Sequence, residues 1–407
     1  MIMKKITSLQ LHLNYPAEQV VETKCLEDVG CGIYPCYFMK LKDKLKVSTS
    51  VTALIFDSKI FELNPTFNPP DFLKQTSKQN SLHKKLSLIT PTILKRVVKY
   101  FDLRLLSDNL HKDKFWYESW ETIDKRVKKL RPFEKVTPRD TTIKFKPDFT
   151  IRDKEIIINK TVNYLQKFVQ SVEREFPNYE HIIMTGGKDS QLINLIPKVN
   201  SEKWHIFSAE PNYTLVKKWI EKNDVTVNKI FKHNNQNEES FKDFKKKILC
   251  SDLYADLRHM RWMPTLKRIA KEFDFKCIFW SGTAADAIYS FHKDFHNKFK
   301  EEYFKVHMIR VGTFQGNYHQ ICKNFVGCPT LSPYHSKEIW EELYQHIDPS
   351  IITKDTDLRK EIGEKLFGRP VKWSEQNPSP EPYSYSFHFD SYKFYVEYIK
   401  KGLTKNV

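Results

Sequence analysis

Two short stretches hold side chains whose types and spacing suit phosphate and acyl chemistry. The first is Thr185-Gly186-Gly187-Lys188-Asp189-Ser190, which follows the apolar residues Ile182 to Met184 and precedes Leu192, Ile193 and Ile196 at helical spacing, with Pro197 ending the run. A strand, a glycine loop and a helix start present bare backbone N–H groups to a phosphate. The chain has 11 glycines in 407 residues and a single Gly-Gly pair, so this loop is expected to need φ > 0 or a close backbone approach. The second stretch is Ser281-Gly282-Thr283-Ala284-Ala285-Asp286, directly after the apolar run Lys276 to Ser281. Small residues again let backbone approach a ligand, and the stretch ends on a carboxylate. Either stretch alone also fits a plain strand-to-helix turn or an Asp helix cap; their pairing is what points to a site. At the ends of parallel strands, Asp189 and Asp286 fall on one sheet edge, where two carboxylates suit Mg²⁺ bound to phosphates.

The elements that must position them alternate as βαβα from about residue 151. A helix carrying Ile156, Ile157, Val162, Leu165, Phe168 and Val169 leads into the opening strand. Trp204 to Ser208 reads as the second strand, with Pro211 opening a helix whose stripe is Leu215, Val216, Trp219 and Ile220. Val225 to Phe231 reads as the third strand, Phe241 to Arg268 as mostly helix, and Lys276 to Ser281 as the fourth strand. The pattern predicts a doubly wound parallel sheet, with ligands beyond the carboxyl ends of its strands.

Residues 1 to about 150 read as a separate, β-rich α+β domain. Gly32 to Met39 and Leu45 to Val51 form an expected hairpin about Lys42-Asp43-Lys44. Asn64 to Pro70 is rich in breakers, Asp71 to about Asn109 is helical in pattern, with Leu94, Val97, Val98 and Phe101 on one face, and Trp120 to Thr137 and Thr141 to Phe145 return to short strands.

Composition bounds the rest. No apolar run approaches the roughly 18 residues a membrane span requires, and Met1-Ile2-Met3-Lys4-Lys5 opens no signal peptide. The seven cysteines, Cys25, Cys31, Cys36, Cys250, Cys277, Cys322 and Cys328, are odd in number and scattered. They point to reduced thiols and a cytoplasmic protein. The spacing of the first three is not a zinc spacing. The net charge of +17 suits phosphate backbones or an acidic substrate, yet lysines spread this evenly also describe a solvated surface.

The first stretch does not fit a Walker loop. It resembles the Ser-Gly-Gly-x-Asp-Ser loop of the ATP pyrophosphatases (the PP-loop, adenine nucleotide hydrolase-like fold), with Thr185 in place of the first Ser. With the second stretch added, the chain resembles the asparagine synthetase family, which carries Ser-Gly-x-Gly-Ala-Asp after a later strand. Cys328-Pro-Thr-Leu-Ser-Pro-Tyr-His335, leading into a helix over 336–347, is similar to the family's Pro-Phe-Leu-Asp segment. Leu358-Arg359-Lys360 and Gly368-Arg369-Pro370-Val371-Lys372 are similar to its late Arg and Arg-Pro-Lys elements. Residues 1–150 resemble its Ntn-type amidotransferase half, and 151–407 its ATP-binding synthetase half.

The resemblance implies ATP and Mg²⁺ as cofactors. Met184, Thr185, Gly186, Gly187, Lys188, Asp189, Ser190, Ser208, Ser281 and Gly282 would line the nucleotide. Asp189 and Asp286 would hold the metal, and Lys372 would stabilise charge at the acyl centre. The family adenylates a carboxylate with release of pyrophosphate, and an amine then attacks. Its amidotransferase half uses an N-terminal Cys; this chain begins Met1-Ile2-Met3-Lys4 and its first cysteine is Cys25, so no glutaminase is expected, as in the lactam synthetases. Thr283 stands where the family places a Glu or Tyr, and a threonine hydroxyl is a poor proton acceptor near neutral pH. Glu301, Glu302, Tyr303, Asp252 and Tyr254 are other candidates for a base.

The expected function is an AMP-forming ligase joining a small-molecule, sugar-acid or peptide carboxylate to an amine acceptor, without a membrane partner and as a monomer or a homodimer. The alternatives are a PP-loop enzyme adenylating a tRNA base, which a basic stripe with exposed aromatics would favour, and a non-catalytic nucleotide-binding partner protein.

Overall fold

The structure is a computed structural model that describes residues 2–30, 32–65, 67, 121–144, 146–233, 241–253, 262–283, 285–289, 316–352, 357–374 and 391–405. The helical pattern expected over 71–109, and Phe145, Tyr254, Glu301, Glu302 and Tyr303, lie outside the described residues.

The N-terminal part contains two four-stranded sheets. One is antiparallel and orders β2 (Val21–Thr23), β5 (Leu45–Ser48), β4 (Tyr37–Lys40) and β6 (Lys128–Lys129). The other is mixed and orders β1 (Ile6–Thr7), β3 (Leu26–Glu27), β7 (Glu134–Val136) and β8 (Thr141–Ile143). Alternation places Ile6, Leu26 and Val136 of the mixed sheet against Val21, Phe38 and Val47 of the other, in one apolar core. Helix α1 (Ser8–Asn14) opens with a capping box between Thr7 and Gln10. The expected hairpin forms, with Phe38 opposite Val47, but its second strand stops at Ser48. Ser50 caps the new helix α2 (Val51–Ser58) by accepting a hydrogen bond from the Ala53 N–H, so Val51 belongs to a helix and not to the strand. Lys59 closes α2 in the left-handed conformation.

The rest of the chain is built on a five-stranded, all-parallel sheet. Its strands are β9 (Glu180–Met184), β10 (Trp204–Ala209), β11 (Ile230–His233), β12 (Cys277–Ser281) and β13 (Thr330–Leu331). Their spatial order is β11-β10-β9-β12-β13. The chain thus runs outward from β9 in one direction, then restarts beside β9 and runs the other way. The order reverses between β9 and β12, where Ser281 is in register with Met184. Long buried runs such as Trp204–Ala209 are what a sheet covered on both faces requires.

Helices cover both faces. Ile183 and Trp280 turn to a core shared with α3 (Lys154–Glu175), α4 (Lys188–Leu195) and α5 (Asn212–Asn223). Ile182 and Phe279 turn to a second core shared with α6 (Phe241–Cys250) and α7 (Met263–Glu272). The remaining helices are α8 (Ala285–Tyr289), α9 (Gly316–Ile321), which continues as a π-helical turn over Cys322–Val326, α10 (Lys337–Glu342), α11 (Leu358–Phe367) and α12 (Ser391–Lys405).

Several boundaries differ from the sequence reading. The third strand starts at Ile230 and not at Val225, because the left-handed cap at Asp224 ends α5 and Val225 is used as a buried side chain behind it. Ile156 is exposed, whereas Ile157 and Ile158 are buried; the Asp153 cap sets this phase of α3. The helix expected over 336–347 is α10, breaking at Leu343 into a 3₁₀ turn, Tyr344–His346.

The two parts share their cores. Ile33, Tyr34 and Phe133 pack with the first face of the parallel sheet, and Val51, Leu54 and Ile55 of α2 pack with the second. Among the described residues no helix is long and apolar enough to cross a membrane.

Candidate functional site

The strand reversal sets the site. Loops leaving β9 and β12 meet at this switch point, at the carboxyl ends of the strands where open α/β sheets bind ligands, and the helices that follow, α4 and α8, pack on the same face: Leu192, Ile193, Ala285 and Ile288 share one core. These loops are the two stretches singled out in the sequence. Gly186 to Asp189 are partly exposed, while Thr185 and Ser190 are buried. The Thr185 N–H bonds the Phe207 carbonyl of β10 at 2.8 Å. The Ser190 hydroxyl accepts from the Gly186 N–H and donates to the Gly187 carbonyl, each at 3.0 Å. Asn194 donates to the Thr185 hydroxyl at 3.2 Å from one turn further along α4. Thr185 and Ser190 therefore hold the loop in shape from inside.

Gly187 is extended, with φ −137° and ψ −168°, and neither glycine of the pair has positive φ; of the two expected reasons for the pair, positive φ is not the one. The crowded glycine is Gly282. A Cβ there would lie 2.5 Å from the Ser190 nitrogen and 2.7 Å from the Asp189 carbonyl carbon. The two loops are thus pressed backbone to backbone. Gly187 has no side chain to cap α4, which leaves first-turn N–H groups of the kind that bind anions.

Charged groups around the loop form a chain. Asp189 is ion-paired with the Arg359 guanidinium. Arg359 Nε also donates to Asp357 at 2.7 Å, and Lys188 Nζ reaches the same carboxylate at 3.2 Å. Burial would depress Arg359, but Asp357 and Asp189 outweigh it and hold its pKa above the ordinary value. Burial would likewise raise Asp357, and Arg359 and Lys188 hold it below the usual carboxylate range. Asp357 is the N-cap residue of α11 yet makes no capping bond; its carboxylate is committed to the two cations. Sequence reasoning missed Asp357. The Asp-x-Arg spacing at a helix start was the available signal.

The third stretch joins the first two. The Tyr334 hydroxyl donates to the Asp189 carbonyl, and Ser332 Oγ donates to the Thr283 carbonyl at 3.2 Å. The Thr283 hydroxyl bonds that of Ser281. Met184 receives the Tyr318 hydroxyl on its sulfur. Asp286 follows Ser281 at the distance at which Asp189 follows Met184, and both are second residues of their helices, α8 and α4. The Asp286 side chain lies outside the described residues.

Lys372 is not joined to this cluster. Its main chain is clamped by Asn223, whose side chain accepts from the Lys372 N–H at 2.8 Å and donates to its carbonyl at 2.9 Å. The Lys372 side chain is exposed. Two residues on, Ser374 exchanges hydrogen bonds with Gln191 of α4. Arg369 covers the end of α5 by donating to the Asn223 carbonyl at 2.7 Å.

Asp252 is not a base at this site. It is buried and accepts from the Val51 N–H, from Gln320 Nε2 at 2.7 Å and from the Tyr395 hydroxyl at 2.6 Å. Burial pushes it up to about 6. It ties α2, α9 and α12 together on the second face of the sheet.

Ser208 lies next to Thr185 at the carboxyl end of β10, and its buried Oγ has no hydrogen-bond partner among the described residues. The buried Oδ1 of Asn212, at the start of α5, also has none. Unsatisfied polar atoms beside an uncapped helix start fit a polar ligand such as a nucleotide. For a metal alone the fit is poorer: among the described residues no group of three His, Cys, Asp or Glu side chains is placed to hold an ion. Mg²⁺ commonly binds through one or two carboxylates plus substrate phosphates, and Asp189 fits that mode.

No family model matches the sequence, and no curated protein matches it.

Proposed function

We propose that the protein is an ATP-dependent, AMP-forming ligase of the PP-loop type, which adenylates a carboxylate and passes it to an amine without glutaminase activity. One observation carries the reading: the glycine loop and the Ser281–Asp286 loop leave adjacent parallel strands at the point of strand reversal, with Gly282 against the backbone of Asp189 and Ser190. In this reading 151–407 is the synthetase part, and the paired N-terminal sheets of 1–150 are an Ntn-like remnant. The α4 N-terminus and Lys188 receive phosphate oxygens, and Ser208 and Ser281 line the nucleotide. Asp189 and Asp286 take the Mg²⁺ that arrives with it; the bound ion would neutralise phosphate charge. Lys372 reaches the acyl centre from the segment clamped by Asn223. Cys36, Cys250 and Cys322 suit no nucleophile, since burial pushes the Cys36 thiol up and the other two up to about 12.

The test is release of pyrophosphate from α-labelled ATP, with and without candidate acids. Acid-dependent release, lost in Asp189→Ala and Asp286→Ala with folding intact, is expected. A non-catalytic nucleotide-binding protein is the second reading, favoured by Thr283, whose hydroxyl is spent on Ser281; nucleotide binding without release under any acid would establish it.

A further inference from the structure

Asp189, the carboxylate best placed for a metal, is already neutralised. Arg359 sits on it, and Asp357 fixes Arg359 through Nε while also holding Lys188. This arrangement is built. Arg359 and Asp357 are each about 12% exposed, against 30% for Asp189 and Lys188, so the inner pair is the more buried and the outer pair is open to solvent. We propose that Arg359 stands in for a divalent cation at Asp189 when no nucleotide is bound and would yield that carboxylate to a metal arriving on a nucleotide. The inference rests on the functional reading above.

Its physical content is a matter of charge. A bare carboxylate at the lip of a phosphate loop repels a triphosphate, and an opposite charge against it removes the repulsion. With Arg359 in place, metal-free nucleotide meets a neutral Lys188–Asp357–Arg359–Asp189 chain. With Asp189 given over to a metal ion, the guanidinium would stay held by Asp357 and offer its freed N–H groups to a phosphate oxygen, for which its planar fork is suited. Arg359 is thus a phosphate-side residue, and Asp357 is its positioning residue.

The test is calorimetric binding of ATP, with Mg²⁺ and with EDTA, to the wild type, Arg359→Gln, Arg359→Lys, and the double variant Asp189→Asn with Arg359→Gln. Removing Arg359 should weaken metal-free binding about tenfold more than metal-loaded binding, because only the metal can then cover Asp189. Arg359→Lys, which keeps the charge but not the fork that bridges Asp357 and Asp189, should fall between Arg359→Gln and the wild type in metal-free binding. The double variant should regain metal-free binding, which also shows that loss in the single variant is not misfolding. Equal weakening of Arg359→Gln in both conditions, or no recovery in the double variant, overturns the inference and leaves the functional reading standing. Failure of the wild type to bind ATP in either condition overturns the functional reading and this inference with it.

Discussion

Replacing Gly282 by alanine tests whether the two loops are pressed together as described. The added Cβ would lie 2.5 Å from the Ser190 nitrogen, 2.7 Å from the Asp189 carbonyl carbon and 2.9 Å from the Ser190 Cα. Ordinary contact begins at 3.4 Å, so the loops must part by close to 0.9 Å. All three neighbours are backbone at the start of a helix and cannot rotate away. Overpacking of this kind costs about 1–3 kcal/mol, read as a lowered denaturation midpoint with an unchanged slope. A shift near 1 Å at a phosphate loop should also reduce turnover about a hundredfold. Gly368→Ala is the control. Gly368 has φ +71° with nothing within 4 Å of a Cβ, so its cost is conformational alone, about 1 kcal/mol, with no effect on nucleotide. If Gly282→Ala matches the wild type in stability, the loops do not touch as described. If it costs stability but leaves nucleotide affinity and turnover intact, the contact is real and the site lies elsewhere.

Other outcomes are expected. Arg369→Ala should uncover the carbonyls at the end of α5 and cost about 1–2 kcal/mol in denaturant titration. Asp28→Ala should cost several kcal/mol, because the Asp28 carboxylate accepts from the backbone N–H groups of Gly30, Gly32 and Phe133, which would be stranded in the core; a variant as stable as the wild type would contradict this. Two buried groups contribute to the pH dependence of stability with opposite signs. His319 is buried and held down to about 4, so the unfolded chain takes the proton first. Its contribution is present above about pH 6.5 and is lost as pH falls toward 4, by up to about 1.4 kcal/mol per unit. Asp252 has the opposite sign: its folded pKa, up to about 6, lies above the unfolded value. Its contribution is present at low pH and is lost as pH rises from about 4 to 6. Relative to the wild type, His319→Gln should remove the gain in stability between about pH 4 and 6.5, and Asp252→Asn should remove the loss between about pH 4 and 6, in parallel urea titrations across the range.

The parallel sheet was legible because period and punctuation agreed: Ile182 to Met184 and Trp204 to Ser208 are apolar runs too short for helices, each followed by a loop and a helical stripe. The glycine pair was legible as a loop but not as a conformation. Its crowded partner is Gly282, roughly a hundred residues away in sequence, and only the register of β9 with β12 reveals it. Arg359 was noticed through its resemblance to a late Arg element, whereas Asp357 was not, since a carboxylate before a helix reads as a cap. Asp252 stood among the candidates for a base; nothing local in the sequence says that a buried Tyr395 and Gln320 will converge on it. Val51 was assigned to a strand because its β-branched side chain fits the alternation, and the Ser50 cap decided otherwise.

The Asp252 junction has a consequence for how the molecule can be cut. Its donors come from Val51 and Thr52, from Gln320, and from Tyr395, three points spread along nearly the whole chain. Severing the polypeptide near residue 150 would leave each fragment with an uncovered apolar face and strand a carboxylate in one of them. The amino-terminal part and the parallel sheet are therefore joined by one buried knot, with α2 of the first packed into the second core of the other.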